Sequence, residues 1–78
     1  MQEKLENGEQ IANDVRQLVN MYRDCSFTGR AVARIFHGIS SPNFPSQVWG
    51  RCRFWRIHLD SDFRLLCALA TRVLLKMR

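Results

Sequence analysis

The chain has 78 residues, 46% of them hydrophobic and 24% charged, and its 12 Lys and Arg against 7 Asp and Glu give a net charge of +5. That length allows one domain and excludes barrels and doubly wound cofactor-binding sheets. It leaves no room for an enzyme with a deep cleft of its own, because folding at this size buries only roughly 60% of the unfolded chain's surface.

The hydrophobic share is too high for a disordered tail, and no stretch approaches the ~18 uninterrupted apolar residues of a membrane span. The polar start, Met1 to Glu6, lacks the apolar segment of a signal peptide. Three cysteines, Cys25, Cys52 and Cys67, form an odd set, so a reduced compartment is expected with the thiols as small hydrophobes. The polar opening, and an end at Lys76-Met77-Arg78 placed directly on a helical pattern, read as a piece of a longer protein. Residues 1–25 carry three positive and five negative charges, whereas residues 26–78 carry nine positive against Asp60 and Asp62. The parts sum to −2 and +7, so the basic character belongs to the last two-thirds.

Ile11, Val15, Leu18, Val19 and Tyr22 fall on one face of a 3.6-residue period and predict a first helix ending near Asp24 or Cys25. Gly8 weakens it upstream, so residues 2–8 are expected to fray. Ser26 or Thr28 can cap a second helix. Its apolar stripe is Ala31, Val32, Ile35 and Phe36, and Gly38 stops it. Arg30, Arg34 and His37 project from one side of that helix. Pro42 and Pro45 hold Ser41 and Phe44 extended. Pro45 suits the first position of a short helix to Gly50 that carries Val48 and Trp49 inward.

Residues 51–59 alternate without a clean face and read as a further helical turn or an irregular linker. Asp60 or Ser61 is the expected cap of the last helix, with Asp62 in its first turn where the helix dipole favours an anion. Phe63, Leu66, Cys67, Ala70, Val73 and Leu74 form its buried stripe. Leu65, Leu69 and Leu75 widen the stripe beyond what a domain this small needs, which implies burial against something outside the chain.

Catalytic patterns are missing: the glycines are isolated, and no Gly-Lys-Ser/Thr phosphate loop exists. Asp60 and Asp62 suit capping better than acid/base work. Cys25, His37, Cys52, His58 and Cys67 have no Cys-x-x-Cys or His-x-x-x-His knuckle, so buried thiols and exposed imidazoles are preferred to a zinc site. The strongest signal is Trp49, Arg51, Arg53, Phe54, Trp55 and Arg56, three guanidiniums and three rings in eight residues. Guanidiniums grip phosphates bidentately and flat rings stack on unpaired bases. The bland alternative keeps the rings in the core and the arginines as solubilising charge.

The run Thr28-Gly29-Arg30-Ala31-Val32-Ala33-Arg34-Ile35-Phe36-His37-Gly38-Ile39 resembles the extreme C-terminal segment of RecQ DNA helicases of the Rothmund–Thomson type. Ser41-Pro42, Pro45, Gln47-Val48, Gly50, Phe54-Trp55-Arg56, Leu59, Phe63, Leu66, Ala70 and Leu74 extend the resemblance, which covers residues 26–76. A looser similarity reaches the winged-helix region of RecQ helicases, with Ile35 to Ser40 at the turn between helices and no wing after the last helix. The resemblance implies a non-catalytic accessory module of an ATP-driven helicase acting in replication and repair in the nucleus. ATP and Mg would serve the parent, and no cofactor or metal is expected in this segment.

The expected fold is all-α, a single domain of about four helices, helix-turn-helix-like without a wing. DNA, single-stranded or at junctions, is the expected partner. Arg30, Arg34 and His37 would meet its backbone, Arg51, Arg53 and Arg56 would extend the surface, Trp49 or Trp55 would stack, and Arg72 and Lys76 would assist. The rival expectation is a docking module that packs on the helicase motor or a replication protein; no membrane role is expected.

Overall fold

A computed structural model describes residues 2–77, with side chains described from residue 8 onward. It contains four helices, α1 (Gln2–Met21), α2 (Gly29–His37), α3 (Ser46–Trp49) and α4 (Phe63–Lys76). No strand occurs among the described residues, so the all-α expectation holds.

The stripe on α1 is buried at Ile11, Val15 and Leu18 and half-buried at Val19 and Tyr22. The backbone is helical from Gln2, through Gly8, and ends at Met21, short of the expected Asp24 or Cys25. A turn closes it there, with Cys25 N–H donating to Tyr22 C=O at 3.1 Å. The Tyr22 hydroxyl donates to Cys52 Sγ at 3.6 Å. That bond, helped by burial, raises the phenol above its ordinary pKa of 10.0.

Both ends of α2 are fixed by its own residues. The Thr28 hydroxyl accepts from Ala31 N–H at 3.1 Å, satisfying an otherwise orphaned donor. Gly38 takes φ 74°, a left-handed conformation open to glycine without a Cβ penalty, and its N–H returns to the Arg34 and Ile35 carbonyls. Between them Val32, Ala33, Ile35 and Phe36 are completely buried.

On α4, Leu66, Ala70 and Val73 are buried, while Phe63, Cys67, Leu69 and Leu74 pack around them. Its cap is Asp62 itself, whose carboxylate accepts from Leu65 N–H at 3.0 Å, rather than Asp60 or Ser61. The correction follows from chain geometry: Ser61 is held by another contact, its carbonyl lying 2.6 Å from His37 Nε2. His37, at the end of α2, thus meets the start of α4, while Gly29, at the start of α2, meets Cys67 and Thr71. The two helices therefore run in opposite directions along each other, and α1 closes the other side of α4.

A Cβ on Gly29 would lie 2.7 Å from the Cys67 carbonyl oxygen and would collide with the Thr71 hydroxyl. A backbone carbonyl cannot swing aside, so Gly29→Ala forces the helices apart. We expect it to cost about 1–3 kcal/mol, the usual range for overpacking, read as a lower midpoint in urea unfolding. An unchanged midpoint would mean that α2 and α4 do not approach this closely.

Pro45 precedes α3 as its cap rather than opening it. One turn can turn only one large side chain inward, and Trp49 takes that place, packing its ring 4.8 Å from Tyr22 and 5.1 Å from Phe44. Val48, expected inside, is 68% exposed.

Residues 51–61 form successive turns, not a helix. They are pinned from several sides. Phe54 is buried, Arg56 N–H donates to Ile35 C=O at 3.0 Å, and His58 N–H donates to Phe36 C=O at 3.1 Å. These bonds satisfy the Phe36 carbonyl, which the end of α2 leaves open, and give the Ile35 carbonyl a second donor beside Gly38 N–H. His58 Nε2 also lies 2.7 Å from Asp14 Oδ2, both side chains being largely buried, which ties the linker to α1.

Candidate nucleic-acid interface

The cationic surface is built around α2. Residues four apart on a helix lie one above the other, and Arg30 and Arg34 obey that spacing along the solvent side of α2. Both line a groove closed by Ser41, Pro42, Asn43 and Phe44 of the connector. Beyond the end of α2 the aliphatic stem of Arg56 crosses Gly38: a Cβ there would come 2.9 Å from Arg56 Cδ and 3.3 Å from Trp55 Nε1. Arg56 is held in that position at φ 66°, the one non-glycine residue with positive φ among those described. Left-handed backbone is costly for a side chain with a Cβ, and two backbone hydrogen bonds beside it, from Arg56 and His58, hold it in place.

On its other side, Arg30 faces α4. It shares a second groove with Phe63, Arg64, Cys67, Ala68 and Thr71. Arg64 therefore joins the row from a different helix, although periodicity alone did not single it out. The only ion pair among the described residues is His58 with Asp14. None of Arg30, Arg34 and Arg64 is neutralised by a described carboxylate, so their charge is available to an anion, whereas Arg56 shares a groove with Asp60.

Of the other expected residues, Trp55 lies beside Arg56 at Gly38, and the rest are placed elsewhere. His37 is engaged, with Nε2 at the Ser61 carbonyl and its ring 5.4 Å edge-on from Phe63, and it serves the junction of α2 with α4. Trp49 belongs to the cluster of Tyr22, Phe27 and Phe44. Trp55 packs half-buried against the core with its indole edge beside Gly38. Arg53 turns toward α1, donating to Gln17 Oε1 and covering the Phe54 ring at 4.7 Å. Arg51 is exposed in the turn after α3. Arg72 and Lys76 are exposed on α4, but at 100° per residue they lie roughly 80–120° around the helix from Arg64. The structure thus gathers Arg30, Arg34 and Arg64, sets Arg56 beside Gly38 at the end of α2, and separates Arg53, Arg72 and Lys76 from the row. No group of three or more metal-ligating side chains comes together among the described residues. No described helix is long and apolar enough to cross a membrane.

Sequence similarity supplies the class: the homologues of this chain are RecQ-type DNA helicases. The chain is 56% identical over 68 residues to ATP-dependent DNA helicase Q4 of Mus musculus, an alignment covering 86% of this chain. It is 46% identical over 78 residues, 97% of this chain, to the Homo sapiens protein of the same name. With ATP-dependent DNA helicase Q-like 5 of Arabidopsis thaliana it shares 40% identity over 57 residues, or 73% of this chain. The matched stretch is 6% of the length of each relative. No protein-family profile and no solved structure matches the chain.

Proposed function

We propose that this segment is a non-catalytic nucleic-acid-binding module of an ATP-dependent, RecQ-type DNA helicase, working in the nucleus in replication and repair, where the motor supplies ATP and Mg chemistry. The observation that carries the reading is the row Arg34–Arg30–Arg64, contributed by α2 and α4 with no described carboxylate partner. Guanidiniums in such a row meet successive phosphates of one strand with charge-assisted hydrogen bonds. Such contacts leave the base edges unread, and affinity comes from the backbone irrespective of sequence.

Three neutralised phosphates set the expected salt dependence. Log affinity for single-stranded DNA falls with log salt at a slope of about −2.1, and for duplex at about −2.7. A fluorescence anisotropy titration at several salt concentrations measures it. A slope near zero removes phosphate gripping from the account.

Docking is the second reading, and it has its own observation. On α4, Leu65 is 51% and Leu75 60% exposed, whereas Leu69 packs into the domain's own core. Such leucines gain by burial against the helicase motor or a replication protein. Capture of the motor that survives high salt, together with a flat DNA titration, favours this reading over the first.

A further inference from the structure

The groove between α2 and α4 differs from the rest of the cationic surface because its floor is apolar. Arg30 stands on one wall and Arg64 on the other, while Phe63, Cys67, Ala68 and the Thr71 hydroxyl lie between them. The groove encloses about 540 Å³ and is open to solvent, a volume within the range of small-ligand sites. Close approach of the helices at Gly29 sets its depth, and the packing of Phe63 against His37 fixes the ring at its end. Two guanidiniums over an apolar floor match a ligand with a phosphate at its edge and a flat ring at its centre.

We propose that this groove is a subsite for one unpaired nucleotide, Arg30 and Arg64 taking the phosphate between them and the Phe63–Ala68 floor taking the base. The proposal rests on the nucleic-acid reading above and adds a ligand form to it. A duplex cannot offer the floor anything, since its bases are stacked and paired inside the helix. An unpaired base has a free face, and its contact with an aromatic or apolar platform contributes in addition to the phosphate contacts. The module therefore prefers single strands, although phosphate charge alone is denser on duplex.

Ala68 provides the test, because it is exposed in mid-helix and leucine is nearly as good a helix former. Ala68→Leu fills the groove without altering charge. The 78-residue chain and this variant are titrated with a 12-residue oligothymidylate and with a 12-base-pair duplex, circular dichroism confirming that both fold. The expected result is at least a tenfold preference of the parent chain for the single strand. In Ala68→Leu that preference falls at least fivefold while duplex affinity is unchanged. Binding of both nucleic acids without preference, and without response to Ala68→Leu, overturns the subsite and leaves the phosphate-gripping row standing. Absence of binding to either overturns both.

Discussion

The double substitution Arg30→Glu with Arg34→Glu is expected to lower affinity for single-stranded DNA by about 100-fold and leave the fold intact. Each reversal removes a charge-assisted phosphate contact and sets a carboxylate in its place, for which about 1.4 kcal/mol, one decade, is a reasonable size at an exposed site. The fold should tolerate the change because Arg30 is exposed, Arg34 is half-buried, and neither side chain has a described hydrogen-bond or ion partner. Their helix positions also compensate. A glutamate at position 30 sits in the first turn of α2, where the dipole favours it, and one at position 34 sits near the last turn, where it does not. The measurement is anisotropy at low salt beside a thermal melt. Undiminished binding with an unchanged melt would show that this row is not the gripping surface.

The second large effect is on stability. Phe36 is completely buried, lies 5.1 Å from the His58 ring and carries the carbonyl that accepts from His58 N–H. Phe36→Ala leaves a cavity where α2 and the linker meet, and such truncations cost roughly 3–5 kcal/mol. A domain of this length has about 4–12 kcal/mol in total. At about 4–8 °C per kcal/mol the melting temperature should drop by at least roughly 12 °C, and cooperative melting vanishes altogether at the lower end of that stability range. DNA binding should go with it, since Arg30 and Arg34 ride on the same helix. A drop below about 5 °C would mean that the site relaxes around the lost ring and that α2 is held mainly from elsewhere.

The two predictions draw on parts of the sequence that were legible to different degrees. The start and stop of α2 could be read directly, because Thr28 and Gly38 act through their own local conformation and need nothing remote. The cap of α4 could not: Asp60, Ser61 and Asp62 are all chemically suited, and the choice is made by His37, which holds the Ser61 carbonyl from 24 residues away. The apolar stripe of α1 was legible and its end was not, since Tyr22 turns the chain toward Cys52 and Trp49, contacts that no local pattern announces.

The site divides in the same way. Arg30 and Arg34 share a helix face by spacing alone. Arg56 comes to the end of α2 only through its own left-handed backbone in the linker, and Arg64 joins Arg30 only through the register in which α4 lies against α2. Arg53 sits in the same dense cationic run as Arg56 yet faces Gln17, because successive residues in irregular turns diverge. The rings resolved toward the interior for Trp49 and Phe54, which have buried partners to meet.

The antiparallel pairing of α2 with α4 has a consequence for truncated alleles. The arginines encoded early in the segment keep their arrangement only while the last helix is translated, because Gly29, Val32, Ala33 and Phe36 rest on it or on the linker that leads to it. A premature stop codon ahead of Phe63 would thus remove Arg64 together with the helix that α2 packs on and forfeit the cationic face, leaving an exposed hydrophobic remnant for cellular quality control to clear.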